Sequence, residues 1–258
     1  MLVGAMNHPC HDVVDDIRWM AEIGLDFIDL TLEPPGAGPW QLDAARVRSA
    51  LADTRFAVVG HTAYYLPLGH PFEEVRLGAV REFCRCIDVF QGVGAKWMNV
   101  HPDFRAPMHS RAFSISQNIR SLRELIDYSR GKGIGVMVEN LPGTLNDVDQ
   151  LAEFLDPIPE LGLHLDVGHT NLMVPRNTLE DILARYADRL CHVHLHDNKG
   201  GTEDLHLPLG AGLMDIPRCV RSLKKSGYDG TITLEVFTPD THFVRYSAEK
   251  LRRLWQEA

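Results

Sequence analysis

Short apolar runs alternate with longer amphipathic segments from one end of this sequence to the other, and this alternation restricts the fold more than any other feature. Eight apolar runs have the length and composition of buried strands, and each is followed by a segment with helical periodicity. No change of composition and no low-complexity linker divides residues 1–258. Eight strands that are each followed by a helix are typical of a single-domain α/β protein, the (β/α)₈ or TIM barrel.

The segment boundaries follow from where the apolar periodicity starts and stops and from the positions of glycine and proline. The predicted strands are Leu2–Met6, Phe27–Leu32, Phe56–His61, Lys96–His101, Ile134–Glu139, Leu161–Asp166, Leu190–His196 and Thr231–Val236. The predicted helices are His11–Ile23, Gln41–Ala52, Phe72–Gln91, Phe113–Arg130, Asn146–Leu155, Leu179–Tyr186, Ile216–Ser226 and Ser247–Gln256. The alternative is a doubly wound open sheet, but no G-x-G-x-x-G motif follows the first strand, so the barrel is the preferred prediction.

Charge and cysteine content narrow the class of protein. Lys and Arg total 26 against 35 Asp and Glu, and the formal net charge of −9 argues against broad non-specific binding of nucleic acid. The five cysteines are odd in number and form no C-x-x-C pair, which is typical of reduced thiols in the cytoplasm. We see no signal peptide and no run of the ~20 apolar residues that a membrane span needs. We therefore expect a cytoplasmic protein without membrane contact, and homo-oligomer formation stays open.

The segment CHVHLHDNKGGTEDLH, residues 191–206, concentrates side chains that bind metal ions. Its first three histidines alternate with Val193 and Leu195, so a strand places their imidazoles on one side. These histidines are His192, His194 and His196. Asp204 and His206, also two residues apart, follow a Gly-Gly loop. Imidazole and carboxylate ligands at such spacing suit a borderline divalent ion such as zinc or manganese.

Other predicted strands end in the same way, on side chains that bind metals. A single histidine at a strand end is usually an ordinary polar terminus, but six consecutive strands with such ends indicate a metal centre, because barrel active sites lie at these ends. The candidate ligands are His61, His101, Glu139, Asp166, His169, His194, Asp204, His206 and Glu235. They exceed the needs of one ion, so we expect two or three, with Glu139 and Glu235 able to bridge them.

The remaining histidines are interpreted differently. His164 and His192 share the parity of the ligands but lie deeper in their strands, which favours hydrogen-bonded interior groups or groups that orient a ligand. His196 stays open between these roles and a ligand. No function is assigned to the predicted loop histidines, which are His8, His11, His70, His109 and His242.

Several motifs resemble those of the xylose isomerase-like TIM barrels, also called AP endonuclease family 2. They are HTAYYLPL, NVHPD, VMVENLPG, LHLDVGHTNL, VHLHDNK, DLHLPLGAG and TLEV. The resemblance covers essentially the whole chain. These motifs are specific for the superfamily and do not choose between its branches, of which two are relevant.

The sugar isomerase and epimerase branch implies one catalytic ion and a sugar or sugar phosphate as substrate. If the residue roles of this branch are transferred to the matching positions here, the ion ligands are Glu139, Asp166, His194 and Glu235. His169 would then contact the substrate. Glu139 and Glu235 would be the catalytic pair, exchanging a proton at the carbon next to a carbonyl that the ion polarises. In many epimerases an Arg follows the seventh-strand histidine, and here Lys199 occupies that region as a candidate substrate contact.

The endonuclease IV branch resembles this chain at all nine candidate ligands and implies three zinc ions that activate a hydroxide at abasic sites in DNA. Endonuclease IV opens DNA with basic and apolar loop residues, whereas the loop Glu33–Trp40 contains no Lys or Arg. Trp40, Tyr64 and Tyr65 remain candidates for stacking on a substrate. The acidic charge and this loop favour a small-molecule sugar, so DNA is a partner only under the alternative. A metal-binding barrel without catalysis is disfavoured by the paired glutamates and His169.

Overall fold

A computed structural model describes residues 1–258 as eight strands alternating with eight helices. The strands are β1 (Leu2–Met6), β2 (Phe27–Leu32), β3 (Ala57–Thr62), β4 (Trp97–Val100), β5 (Gly135–Glu139), β6 (Gly162–Asp166), β7 (Leu190–Leu195) and β8 (Thr231–Leu234). Neighbouring strands pair in parallel in sequence order, and β1 also pairs with β8, which closes the barrel. The predicted (β/α)₈ barrel is confirmed, and the open-sheet alternative is excluded.

The helices surround the barrel, and several begin directly after a side chain that caps their first turn. They are α1 (Val13–Glu22), α2 (Ala44–Thr54), α3 (Glu73–Val93), α4 (Arg111–Arg130), α5 (Val148–Leu155), α6 (Leu179–Tyr186), α7 (Ile216–Lys225) and α8 (His242–Glu257). The side chains of Asp12, Asp43 and Ser110 accept backbone N–H groups in the first turns of α1, α2 and α4. None of the helices combines the length and the apolar character needed to cross a membrane.

The largest boundary difference concerns the last helix, which begins at His242 and not at the predicted Ser247. Val244 is buried, so the first turn of α8 already contributes to the core. The polar segment before it, which includes Pro239 and Asp240, hides this start from periodicity, because only one buried apolar side chain marks the additional turn.

The hydrophobic core lies mainly between the strands and the helices, where 56 buried apolar side chains form one continuous cluster. A separate small cluster of Phe27, Val59 and Met137 fills the barrel interior near the N-terminal ends of the strands. Two residues further along each of these strands the inward position is polar, because inward and outward positions alternate. Those polar residues are Asp29, His61 and Glu139, all of them buried. The barrel interior is therefore apolar at one end and polar at the other.

Candidate metal centre

The nine predicted ligands lie together at the C-terminal end of the barrel, in three adjoining sets. In each set, one nitrogen or oxygen atom of every member lies within 4.8 Å of those of the other members. The central site contains Glu139, Asp166, His194 and Glu235. The His101 site contains His61, His101 and Glu139, and the His206 site contains His169, His196, Asp204 and His206. His196, which the sequence left open, thus joins the ligands by position.

The central site is formed where β5, β6, β7 and β8 end. His194 Nδ1 lies 3.1 Å from Glu235 Oε2. Glu139 belongs to two sites, since its Oε2 atom also lies 2.8 Å from His101 Nε2. Both glutamates line the cavity above the barrel, so they can contact an ion and a substrate together.

The His206 site adjoins the central site through Asp166, whose Oδ1 atom lies 3.3 Å from His196 Nε2. Asp204 Oδ2 lies 3.0 Å from His169 Nε2 and 3.1 Å from His206 Nε2, so one carboxylate lies between two imidazoles. Asp204 is the least buried of these side chains, with 33% of its side-chain surface exposed. This site is therefore the one closest to solvent.

Buried polar atoms without a partner test whether these residues fit metal ions. Nearly all buried polar groups in proteins are hydrogen-bonded, so unpartnered ones that converge indicate a missing ligand. Atoms of this kind in the three sites include His101 Nδ1, Asp166 Oδ2 and His196 Nε2. The donor set is imidazole and carboxylate without thiolate, which fits zinc or manganese. The residues present therefore fit divalent ions.

The electrostatics of the ion-free site point the same way. Burial by itself would raise the pKa of Glu139, but the charges of His164 and His101 outweigh it and hold that pKa well below its usual value. Burial would lower the pKa of His169, but the charge of Asp166 and a hydrogen bond with Asp204 raise it to about 10. Against the same effect of burial, a hydrogen bond with Asp204 and the charge of Glu235 raise the pKa of His206 to about 9. In the ion-free site, protonated histidines thus compensate the negative charge of the carboxylates. Divalent cations could compensate the same charge.

The loop between β7 and α7 carries Asp204 and His206, and the buried carboxylate of Asp197 holds it in place. Asp197 accepts backbone N–H groups from four residues of this loop, at 2.8 to 3.2 Å. The donors are Asn198, Gly210, Gly212 and Met214. Sequence reasoning did not identify Asp197. The only feature of the sequence that pointed to it was its position directly after the histidine-rich strand.

A cavity of about 1140 Å³ opens above the sites. Glu139, Glu235 and His169 lie in its wall, with Trp19 and Phe237 among its apolar lining residues. No Lys or Arg side chain lines it. The cavity therefore offers acidic, imidazole, hydroxyl and apolar groups to a ligand, and no guanidinium or ammonium group.

The predicted substrate contacts are only partly at the cavity. Tyr64 lines it, and its ring lies 6.5 Å from that of His101. Trp40 and Lys199 are exposed and do not line the cavity. Tyr65 also lies outside the lining and donates a hydrogen bond to Glu33 at 2.8 Å. The structure thus brings Tyr64, and not the other three side chains, to the site.

Two histidines to which the sequence assigned no function do line the cavity. The rings of His8 and His11 lie 4.4 Å apart at an angle of 31°, and His11 Nδ1 lies 3.1 Å from Asp16 Oδ1. They belong to the loop after β1, which in any such barrel lies at the same end as the strand-end ligands. That position was the signal that could have identified them.

Two buried residues behind the ligands were also missed. Asn99 donates to Glu139 Oε2 at 3.0 Å and shares the strand parity of His101. Asp29 Oδ2 lies 2.7 Å from His194 Nε2 and shares the parity of Phe27. A polar side chain on the inward face of an apolar strand was the available signal in both cases.

Residues 17–257 match a family model described as xylose isomerase-like TIM barrel. Among similar proteins, the uncharacterized protein MJ1311 of Methanocaldococcus jannaschii is 29% identical over 182 residues, which span 64% of this chain and 62% of that protein. A probable endonuclease 4 of Aquifex aeolicus is 25% identical, covering 99% of this chain and 98% of its own. An L-ribulose-5-phosphate 3-epimerase of Salmonella paratyphi A is 24% identical, covering 87% and 82%.

Solved structures with the same fold include a D-tagatose 3-epimerase-like protein, with a TM-score of 0.88, 22% identity and coverage of 100% of this chain and 98% of that one. The 3-keto-D-glucoside 4-epimerase of E. coli gives a TM-score of 0.81 at 21% identity, with 98% and 99% coverage. At these identities the likeness establishes the fold alone.

Proposed function

Because this chain belongs to the xylose isomerase-like TIM barrel family, we propose that it is a divalent-metal-dependent sugar epimerase or isomerase. The observation that supports this best is the pair Glu139 and Glu235, which share the central site and both line the cavity. Two carboxylates beside one bound substrate are what proton exchange at a single carbon centre requires. Similar proteins that carry the name epimerase support the same chemistry.

In the proposed reaction, one glutamate accepts the proton from the carbon next to the carbonyl, and the other returns a proton. Either glutamate can serve as the base, since both line the cavity. His169 lies in the cavity wall and would contact a substrate oxygen when the His206 site holds no ion. A divalent ion, when bound by the central site, would polarise the carbonyl and stabilise the negative charge that develops on its oxygen.

The three adjoining sites support two or three ions per chain, of zinc or manganese. Glu139 would serve both the central site and the His101 site, since it belongs to both sets. Elemental analysis of protein purified without chelator tests this number. A stoichiometry of one ion or fewer would mean that the outer histidines bind substrate and not metal.

The cavity favours an uncharged sugar over a sugar phosphate. A phosphate group is usually bound by Arg, Lys or a helix N-terminus, and the lining has no Lys or Arg but includes Asp16 and Glu33. Aromatic and apolar side chains such as Tyr64 and Trp19 can pack against the faces of a sugar ring. We therefore infer that the substrate is a neutral ketose or a related keto sugar.

The second candidate is a phosphodiesterase of the endonuclease 4 type. Two observations favour it: all nine ligand positions converge, and the Aquifex aeolicus protein aligns over nearly its full length. Against it stand the net charge of −9 and a cavity whose lining has no Lys or Arg, since binding of DNA depends on neutralising phosphates.

One experiment separates the two candidates and a third, binding without catalysis. The metal-loaded protein is incubated in deuterium oxide with a panel of ketoses and their phosphates, and separately with duplex DNA that contains an abasic site. We expect deuterium at the carbon next to the carbonyl, and no nick in the DNA. His109→Ala, an exposed loop variant, should exchange within a few-fold of wild type. Salt-sensitive nicking of the DNA without deuterium exchange would establish the phosphodiesterase. If the protein showed neither activity, metal binding without catalysis would remain.

A further inference from the structure

Asp29 places a carboxylate in the middle of the barrel, beneath the candidate metal sites. Asp29 is fully buried, and no Lys or Arg pairs with it. Its Oδ2 atom lies 2.7 Å from His194 Nε2, 3.5 Å from His61 Nδ1 and 3.4 Å from His192 Nε2. Thr233 Oγ1 donates to the same oxygen at 3.0 Å. One oxygen atom thus faces three imidazoles and a hydroxyl.

The two metal-site histidines turn opposite nitrogens toward this oxygen. His194 presents Nε2 to Asp29, while its Nδ1 lies 3.1 Å from Glu235 in the central site. His61 presents Nδ1 to Asp29, while its Nε2 lies 3.3 Å from the amide of Asn99. That amide also contacts both His101 and Glu139, so Nε2 of His61 faces the His101 site. Asp29 therefore lies behind a ligand of each of two adjoining sites.

A carboxylate only accepts hydrogen bonds, so any nitrogen that hydrogen-bonds to it carries the proton. A neutral imidazole has one protonated nitrogen and one lone pair, and a metal needs the lone pair. Fixing the proton on one nitrogen therefore makes the other a ligand atom. The nearly parallel rings of His61 and His194, 5.1 Å apart at 15°, allow one carboxylate to serve both.

We propose that Asp29 is a positioning residue that fixes the proton of His194 on Nε2 and that of His61 on Nδ1. It thereby directs His194 Nδ1 to the central site and His61 Nε2 to the His101 site. This inference rests on the proposed metal centre. It adds a residue of β2, which supplies none of the predicted ligands, to the residues that determine ion binding at two sites.

The alternative, an ion bound deeper in the barrel by Asp29 and its neighbours, fits less well. His192 is already satisfied, since its nitrogens lie 2.7 Å from Thr231 Oγ1 and 3.0 Å from Thr233 Oγ1. Asp29, His61 and His194 do have atoms within 4.8 Å of one another. Asp29 Oδ2, however, already lies at hydrogen-bond distance from His194 Nε2, at 2.7 Å, and from Thr233 Oγ1, at 3.0 Å. These contacts suit the role of a hydrogen-bond acceptor.

The test is nitrogen NMR of the zinc-loaded protein with labelled histidines, which shows directly which ring nitrogen of each histidine carries the proton. We expect the N–H of His194 on Nε2 and that of His61 on Nδ1. We also expect Asp29→Leu, which removes the acceptor at similar size, to weaken zinc binding about 10- to 100-fold in a chelator competition. In Asp29→Leu, part of His194 should carry its proton on Nδ1, an effect that loss of stability alone does not produce.

Asp26→Leu is the matched control, because Asp26 lies just before β2 and bonds to Val3 N and Arg252, far from the sites. Its zinc affinity should stay within twofold of wild type. The inference is overturned if the loaded wild-type protein carries the opposite tautomers, or if Asp29→Leu binds zinc within twofold of wild type. If Asp29→Leu does not fold, the wild-type spectrum decides. Failure of the wild-type protein to bind any divalent ion would instead refute the proposed metal centre.

Discussion

Glu139 differs from Glu235 at the residue scale, because only Glu139 belongs to both the central site and the His101 site. We expect Glu139→Gln to reduce the number of bound ions more than Glu235→Gln does. Both variants should lose deuterium exchange by about 100-fold or more, since each removes one of the two carboxylates proposed to exchange protons. Elemental analysis and the exchange assay measure the two effects. Glu203→Gln, an exposed carboxylate near Asp204, is the control. Equal metal content in the two active-site variants would contradict the shared role of Glu139.

Protonated histidines in the ion-free site should couple metal binding to pH. The pKa values of His169 and His206, raised to about 10 and about 9, leave both imidazoles protonated at pH 7. Ligand imidazoles must be neutral, so loading should release protons, and the apparent affinity should rise with pH up to about these values. Calorimetry in buffers of different ionisation enthalpy measures the release. Binding without proton release at pH 7 would mean that neither histidine is a ligand.

The same shifts predict the stability of the ion-free protein. A histidine whose pKa is raised by folding contributes stability that is fully present below its usual value of 6.5 and lost as the pH rises through the folded value. The free energy of unfolding of the ion-free protein should therefore fall progressively as the pH rises from about 6.5 to about 10. Protein loaded with metal should show less of this decline, because its imidazoles are already neutral.

At the scale of the element, the loop between β7 and α7 depends on Asp197. Removing this fully buried carboxylate leaves four backbone N–H groups without an acceptor. We expect Asp197→Ala to lower the free energy of unfolding by about 3 kcal/mol. It should also weaken metal binding at the His206 site about tenfold, because Asp204 and His206 lie on this loop. Denaturant unfolding and chelator competition measure these effects.

The control for this prediction lies at the end of the same loop. Asp215 caps α7 by accepting the backbone N–H of Arg218 at 3.0 Å. Asp215→Ala should cost about 1 kcal/mol of stability, as the loss of a helix cap usually does, and leave metal affinity unchanged. Unchanged metal affinity in Asp197→Ala as well would show that the loop keeps its conformation without this carboxylate.

At the scale of the whole molecule, one end of the barrel interior contributes to stability and the other end carries the candidate site. Phe27, Val59 and Met137 close one end with apolar side chains, while the polar residues above them face the candidate metal sites. We expect Phe27→Ala to cost about 3–5 kcal/mol, since it leaves a cavity in a fully buried layer. Metal affinity of the folded variant should stay within about threefold of wild type. A large loss of affinity in folded protein would show that the apolar layer also shapes the site.

The sequence by itself determined the barrel and the end of it at which the candidate ligands lie. Periodicity is a local property, so it identified each strand, and alternation along a strand identified which side chains face inward. Because all strands of a (β/α)₈ barrel end at the same face, residues as far apart as His61 and Glu235 could be assigned to one centre. The same reasoning left His196 undecided, since nothing local separates a ligand from an interior imidazole.

Only the tertiary structure decided which residues meet across the barrel. Asp29 and His194 are 165 residues apart and lie on strands that are not neighbours, so their contact depends on barrel closure and strand register. Loop side chains depend on the path of the loop and not on periodicity, which is why His8 and His11 line the cavity and Lys199 and Trp40 do not. Local patterns place a residue on a face of its own element, whereas contacts between elements require the three-dimensional arrangement of the strands.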